Sequence, residues 1–164
     1  MAKLNKDRII KDISKLHQRS NKVTEINEEV MKAVDILTEE MESRKGCQGL
    51  SAIQVGIPIS VHTIKVKSKV YVTLNLRFLL MVGLQWSNEG CESIADRYGL
   101  WRPMYGLVTY QDTDMKRHFM WLDSKHARIA AHEIDHAKGI VISDKGRKWQ
   151  FDTKKSGHYL PKGR

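Results

Sequence analysis

The sequence has few of the features that mark secreted, membrane or disulfide-stabilised proteins. It contains only two cysteines among 164 residues, Cys47 and Cys91. A chain of this length does not need a disulfide, so each cysteine is interpreted as a small buried side chain or as a thiolate ligand. No apolar run approaches the roughly 18 residues of a membrane helix, and no apolar segment of a secretory signal follows the charged start. We therefore expect a cytoplasmic protein with no membrane partner.

The distribution of charge is uneven, although the chain lacks repeats and low-complexity segments. The formal net charge is +9, and lysines and arginines are concentrated at both ends. We predict a basic arm at residues 1–15, a single domain at residues 16–144 and a short basic tail at residues 145–164. Because no regular series of aromatic side chains accompanies the charge, it indicates only a phosphate-facing surface and not a nucleic-acid motif.

The most informative segment is His132-Glu-Ile-Asp-His136. Two histidines four residues apart lie on the same face of a helix and can bind one metal ion, while Glu133 points to the side of a bound water. Apolar residues surround these polar groups, and burying them without partners would cost on the order of a kcal/mol each. The segment therefore predicts a hydrolytic metal centre. Its helix should be capped by Asp123 or Ser124 and should end at Gly139.

A hydrolytic metal usually takes three protein ligands, so a third ligand must lie elsewhere in the chain. The metzincin pattern requires a histidine where this chain has Ile142, and the thermolysin-like pattern requires a later glutamate, but none follows Glu133. An ordinary zinc peptidase is therefore poorly supported. Upstream, Cys91 stands in a glycine-containing segment and is the favoured ligand. Three histidines are weaker candidates: His62, His118 and His126.

Periodicity predicts a second helix in the first third of the chain. Its apolar residues recur at intervals of three or four, as one buried helical face requires: Ile26, Val30, Val34, Leu37 and Met41. Thr24 is the expected N-cap, and Gly46 is the expected end.

The middle of the chain is predicted to form antiparallel strands. Five runs are candidates because they are rich in β-branched or aromatic residues: 59–66, 70–74, 77–84, 105–110 and 117–122. We expect a polar loop at residues 89–93 and a turn at residues 99–103. The order of elements predicts an α+β domain, in which antiparallel strands pack around a central metal-binding helix, with a second helix near the N-terminus.

Three separated motifs make the sequence resemble the peptide deformylase family. The first family motif, Gly-x-Gly-hydrophobic-Ala-Ala-x-Gln, is similar to Cys47-Gln-Gly-Leu-Ser-Ala-Ile-Gln54. The second, Glu-Gly-Cys-x-Ser, is matched by residues 89–93. The third, Gln-His-Glu-x-Asp-His-Leu-x-Gly, is similar to residues 131–139. Their order and spacing agree with the family, and the resemblance spans about residues 16–142.

The departures from these motifs are small substitutions. Cys47 replaces a glycine, and Ser51 replaces an alanine. Ala131 and Ala137 replace a glutamine and a leucine beside the metal-binding segment, so the support of that helix would be looser. Glu92 takes a position that leucine often holds.

The resemblance implies a metal site and a reaction, the removal of the N-formyl group from the N-terminal methionine of new polypeptides. Three residues would bind one divalent metal ion: Cys91, His132 and His136. Ferrous iron is the family metal, with nickel, cobalt or zinc as possible replacements, whereas ligand chemistry alone favours zinc. Glu133 would transfer protons. The side-chain amide of Gln54 and the backbone N–H of Glu92 would stabilise the charge that develops on the carbonyl oxygen.

The implied substrate is an N-formylmethionyl nascent peptide in extended conformation. Main-chain groups that could pair with it, as an added strand does, belong to Gly49, Leu50 and Gly90. The methionine side chain needs an apolar pocket, to which Trp86, Ile129 and His132 would contribute.

The basic termini suggest a contact with the ribosome surface. The tail is shorter than the C-terminal helix by which longer family members are thought to dock there. Such a short tail would suit a viral or phage-borne protein. The expected location is the cytoplasm of a bacterial cell, including a cell that is a phage host.

Two other functions remain open at this stage. One is a metallopeptidase that uses the same His-Glu-x-x-His chemistry on internal peptide bonds. The other is a basic ribosome-binding relative without catalytic activity, in which the metal ligands would be coincidental.

Overall fold

The computed structural model describes residues 7–149, which form a six-stranded antiparallel sheet, four α-helices and one short 3-10 helix at Ala52–Val55. The helices are α1 (Ile13–Leu16), α2 (Glu28–Ser43), α3 (Ser124–Ala137) and α4 (Ile142–Lys145). The strands are β1 (Gly49–Ser51), β2 (Val61–Val66), β3 (Lys69–Cys91), β4 (Ile94–Gln111), β5 (Arg117–Leu122) and β6 (Arg147–Lys148). The sheet order is β1-β2-β3-β4-β5, and β6 pairs with β4. The predicted α+β class is confirmed.

Parts of both predicted terminal segments lie outside the described residues, namely residues 1–6 and 150–164. The described end of the basic arm packs on the domain: Ile9 is buried, and the Ile10 N–H donates to the Gln54 carbonyl at 2.8 Å. Within residues 7–149, no helix is long and apolar enough to cross a bilayer.

Helix α2 has the predicted buried stripe, but it begins later than expected. Asn27, not Thr24, is the N-cap, because the Asn27 side chain accepts a hydrogen bond from the Val30 N–H at 3.0 Å. This bond satisfies one of the free N–H groups of the first turn. Ile26 therefore precedes the helix, although it still packs against the same core cluster.

Strands β3 and β4 form one long hairpin that includes the predicted loop at its tip. Residues 89–91 lie in β3, and only a two-residue turn separates Cys91 from Ile94, its partner in β4. The break predicted after residue 74 is a register shift within β3, where Asn75 has a φ of 54°. A bulge bends a strand without ending its pairing. The interruption in the strand pattern of the sequence is therefore a bulge and not a loop.

The turn predicted at residues 99–103 was wrong, because this segment lies within β4. Gly99 pairs with Asn88, and a Cβ at Gly99 would lie 2.6 Å from the Trp86 ring. Glycine is required here for close packing of an aromatic ring on a strand, not for a change of chain direction.

Helix α3 lies against β1, β2 and β4 and carries the histidine motif into the interior. Asp123 is its N-cap, accepting a hydrogen bond from the His126 N–H. Its apolar side packs on the sheet through Ala127, Ala130 and Ile134. Beyond its last turn, Gly139 has a φ of 73°, a left-handed conformation that favours glycine. These packing contacts fix the helix face that carries the candidate ligands.

Candidate metal centre

The two histidines of α3 face each other across one helical turn. Their ring centroids are 4.9 Å apart, and the Nε2 atoms of His132 and His136 are separated by 3.2 Å. This is the arrangement that a four-residue spacing favours on a helix. His136 is buried, whereas His132 is half-buried and lines a cavity.

The third donor comes from the tip of the β3–β4 hairpin. Cys91 is the last residue of β3, and its Sγ lies 3.4 Å from His136 Nε2. One donor atom from each of Cys91, His132 and His136 lies within 4.8 Å of the others. The hairpin therefore brings together the three residues that the sequence proposes as ligands, from segments that are far apart in the chain.

The chemistry of these donors fits a divalent transition metal. His132 Nδ1 lies 3.0 Å from Glu89 Oε2. Because an ionised carboxylate can only accept, Nδ1 carries a proton, and Nε2, which faces the other two donors, is the nitrogen that would bind a metal in the neutral ring. Two imidazole nitrogens and a thiolate suit such an ion, and three protein ligands leave a position for a substrate or water.

A buried network of ion pairs contacts His132 through its Nδ1 atom. Glu89 accepts two hydrogen bonds from Arg102, both at 2.8 Å, and Arg102 also donates to Asp135. Burial opposes the ionisation of Glu89, but the bonds from His132 and Arg102 outweigh it and lower its pKa to about 2. Arg102 is only 2% exposed. The network therefore holds a permanent negative charge against the His132 ring.

The two imidazoles have different electrostatic surroundings. Burial opposes charge on His132, but its contacts with Cys91 and Glu89 raise its pKa well above the usual value. For His136, burial lowers the pKa, and the neighbouring His132 acts in the same direction. Without a metal, His136 therefore favours its neutral form, whereas His132 favours its protonated form.

Sequence analysis did not recognise the Glu89–Arg102 network. Glu89 and Asp135 lie inside the recognised motifs, and this was the only indication in the sequence that they belong to the site. Arg102 has no local signal, because it reaches Glu89 only through the pairing of β3 with β4.

Glu133 lies beside the three donors and is only 2% exposed. Its Oε2 accepts a hydrogen bond from Ser51 Oγ at 2.6 Å. Burial raises its pKa above the usual carboxyl value. A Cβ at Gly49 would collide with Glu133 Oε1, so glycine at this position leaves the space that the carboxylate occupies.

The Gln54 side chain is oriented by hydrogen bonds at both ends of its amide. Its Oε1 accepts from the Ser51 N–H at 2.9 Å, and its Nε2 lies 3.1 Å from Ser93 Oγ and 3.5 Å from Cys91 Sγ. The amide donor therefore faces the ligand cluster. Glu92 directs its side chain to Arg44, 3.4 Å away, so that carboxylate does not join the cluster.

A cavity of about 530 Å³ opens onto this cluster. Among the residues proposed for substrate contact, Gly49, Gly90 and Ile129 line it, together with Gln54, Glu92 and Glu133. Leu50 and Trp86 do not. The Leu50 side chain is fully buried in the core, and the Trp86 ring packs edge-on against Trp101 at 5.3 Å. Two arginines that sequence analysis did not single out, Arg97 and Arg128, also line the cavity.

The weaker ligand candidates lie outside the ligand cluster and have other partners. His118 bonds to Asp112 at 2.6 Å, and His126 contacts Asp123. His62 is fully buried and bonds to Ser51.

The second cysteine, Cys47, is buried, and its sulfur packs 3.4 Å from Met41 Sδ. Burial raises its thiol pKa to about 12. It is therefore a neutral side chain, which agrees with its interpretation as a small buried residue.

Comparison with known proteins relates the sequence and the fold to one family. Residues 7–152 match the family model of polypeptide deformylase. A peptide deformylase of Symbiobacterium thermophilum is 35% identical over 136 residues, covering 79% of this chain and 61% of that protein. A peptide deformylase of Wolinella succinogenes is 32% identical, covering 79% of this chain and 81% of that protein.

Solved structures agree with the sequence relatives. A peptide deformylase of Synechococcus elongatus in complex with actinonin superposes with a TM-score of 0.79 and 28% identity, covering 90% of this chain and 81% of that chain. A probable peptide deformylase from Synechococcus phage S-SSM7 has a TM-score of 0.72 and 30% identity, with 80% and 93% covered. The chain therefore belongs to the polypeptide deformylase family, metal-dependent hydrolases that remove the N-formyl group from newly made polypeptides.

Proposed function

We propose that this chain carries out deformylation at the cavity above α3, with Cys91, His132 and His136 holding the metal. This proposal rests on one observation: the three donors lie together, and two of them, Cys91 and His132, line one cavity with Glu133 and Gln54. These residues come from three separate elements of the fold. Of the possible ions we favour Fe(II), the metal implied by the family resemblance, over nickel, cobalt or zinc. When bound, the metal would polarise the formyl carbonyl and lower the pKa of water.

The protein groups have separate tasks in this reaction. Glu133 accepts the proton of the attacking water and later delivers it to the departing amine. Its burial beside the donors keeps this proton out of bulk solvent. The Gln54 amide and the Glu92 backbone N–H donate to the carbonyl oxygen as negative charge develops on it. The hydrogen bonds to Ser51 and Ser93 hold the Gln54 amide in place, so little reorganisation is needed.

The substrate binds in extended conformation along β1, the terminal strand of the sheet. Main-chain groups of Gly49 and Leu50 on one side, and of Gly90 on the other, would pair with the peptide backbone. This role does not require the Leu50 side chain to reach the cavity. Ile129 supplies apolar surface for the methionine side chain. Trp86 does not line the cavity, so it would affect the methionine only indirectly.

Formate release from a formyl-Met-Ala-Ser peptide is the direct test. We expect formate and an otherwise intact peptide, identified by mass spectrometry. Internal cleavage would instead support the metallopeptidase, and neither product would support the non-catalytic relative. Loss of activity in air, prevented when nickel replaces the purified metal, would support Fe(II). A native protein with zinc and full aerobic stability would contradict that assignment.

We also propose that the protein works in the bacterial cytoplasm and contacts the ribosome surface through its basic termini. The net charge of +9 supports an attraction to ribosomal RNA. Co-sedimentation with ribosomes that weakens as salt rises is the expected result. No co-sedimentation at low salt would exclude this contact.

A further inference from the structure

Ser51 departs from the family motif and contacts the proposed proton-transfer residue. The motif has alanine at this position, whereas Ser51 Oγ lies 2.6 Å from Glu133 Oε2. The same Oγ lies 2.8 Å from His62 Nδ1. Ser51 is 1% exposed, so protein groups rather than bulk water must satisfy its hydroxyl.

His62 continues the contact away from the cavity. It lies in β2, directly opposite Ser51 in β1, and is fully buried. Its second ring nitrogen, Nε2, lies 3.3 Å from Ser60 Oγ. Burial lowers the pKa of His62 to about 3, so the ring is neutral and has one N–H and one acceptor nitrogen.

The positions of the protons in this chain of hydrogen bonds follow from Glu133, the acceptor at its end. An ionised Glu133 carboxylate can only accept a hydrogen bond, so the single O–H of Ser51 must donate to Glu133. The Ser51 oxygen then accepts from His62, which places the imidazole proton on Nδ1. His62 Nε2 is left as the acceptor for the Ser60 hydroxyl. Each group thus has one direction of donation, from Ser60 through His62 and Ser51 to Glu133.

We propose that Ser51 and His62 are positioning residues that hold the Glu133 carboxylate in its reactive orientation. The Ser51 hydroxyl fixes Oε2, and the missing Cβ of Gly49 leaves room for Oε1. His62 fixes the Ser51 rotamer, because its Nδ1–H requires an acceptor at that point. This inference rests on the proposed function, in which Glu133 handles the proton.

The alternative is that the two polar side chains only fill space between β1, β2 and α3. Under that alternative, an apolar pair of suitable size would preserve activity as well as stability. Replacing both partners of a buried hydrogen bond by apolar groups is often nearly neutral for stability. The double variant Ser51→Ala/His62→Leu therefore separates positioning from packing.

For Ser51→Ala, which restores the family residue, we expect kcat to fall roughly ten- to a hundred-fold, since a hydrogen bond to a charged group is lost. KM and metal content should stay within about twofold. The double variant should lose no more kcat than Ser51→Ala, because both changes break one chain of bonds. Its melting temperature should stay closer to wild type than that of Ser51→Ala, which strands the His62 N–H.

Thr73→Val is the matched control. Thr73 is also fully buried, and its hydroxyl donates to the His62 carbonyl at 3.3 Å, but it has no bond to Ser51 or Glu133. It should keep kcat within about twofold. An unchanged kcat in both Ser51→Ala and the double variant would overturn the proposal.

The protonation of His62 can be measured without any turnover. In ¹⁵N-histidine-labelled protein loaded with zinc, we expect His62 to be the neutral tautomer with the proton on Nδ1. A proton on Nε2 would overturn the proposed direction. A wild-type protein that released no formate would refute the proposed function instead, so the two failures are distinguishable.

Discussion

Two regions of the β3–β4 hairpin differ in what covers them: the tip, which we call the covered end, and the middle at residues 79–84, which we call the open end. Near the tip, α3 covers the strands, and charged side chains such as Glu89 and Arg102 are buried and mutually paired. Towards the middle, from Leu79 to Leu84, apolar side chains face solvent, and Leu84 is 67% exposed. Between these two regions, burial therefore follows the position of α3 rather than the hydrophobicity of the residues.

This difference has a physical reason. A buried ion pair is tolerated only when its partners satisfy each other, and Arg102 does this for two carboxylates at once. An exposed apolar side chain on a strand costs little, because much of any protein surface is apolar. We therefore expect changes at the covered end to alter activity or stability strongly, and changes at the open end to have small effects.

The largest effect should come from Glu133, the proposed proton-transfer residue in α3. Glu133→Gln keeps the size of the side chain but removes its capacity to accept and return a proton. We expect kcat to fall by at least roughly a thousand-fold. Formate release under saturating peptide would measure this, with metal content determined on the same sample. Retention of more than a tenth of wild-type kcat would exclude Glu133 from proton transfer.

The next largest effect should come from Arg102→Met, which leaves buried carboxylates without their cation. We expect unfolding free energy to fall by about 3–5 kcal/mol, as when one partner of a buried pair is removed. Metal affinity should also fall roughly ten- to a hundred-fold, because Glu89 would orient His132 less firmly. Urea unfolding and competition with a chelator measure the two effects. Arg77→Met, at an exposed position in β3, is the control.

A pH dependence should follow from His62, which is fully buried in β2. Its pKa is about 3 in the fold and near 6.5 when exposed, so below pH 6.5 the unfolded chain binds a proton that the folded chain does not. Stability should therefore fall with decreasing pH, approaching about 1.4 kcal/mol per pH unit from this group. Urea unfolding from pH 7 to pH 4.5 should show a shallower slope in Ser51→Ala/His62→Leu. Equal slopes would mean that His62 is protonated in the fold.

The smallest effect should come from the open end. Leu84→Ser changes an exposed side chain, so we expect unfolding free energy to change by no more than about 0.5 kcal/mol. The kcat should not change. A loss of several kcal/mol would show that this surface is covered in solution and would break the contrast between the two ends.

The sequence predicted the local structure of the two long helices well. A four-residue spacing of histidines needs only a helix to bring both rings to one side, and Asp123 and Gly139 mark the ends of that helix. Helix α2 was similarly visible from its apolar stripe, although its N-cap was misplaced. These features depend on contacts within a few residues, so periodicity and capping preferences were sufficient.

The extent of the β3–β4 hairpin could not be predicted from local sequence in this way. Asn75 and Gly99 interrupt the strand pattern; the first was interpreted as a break between two strands and the second as the start of a turn. In the structure, one lies at a bulge and the other lies under the Trp86 ring. Whether such a residue ends a strand depends on the partner strand, which local sequence does not contain.

The amino-acid sequence by itself determined the donor types, the helix that carries two of them and the motif that contains the third. Only the tertiary structure decided how Arg102 reaches Glu89, how Ser51 and His62 reach Glu133, and which proposed residues line the cavity. The physical reason is distance along the chain. Those contacts depend on strand register and on the packing of α3, and both are set by the cooperative burial of the whole core rather than by neighbouring residues.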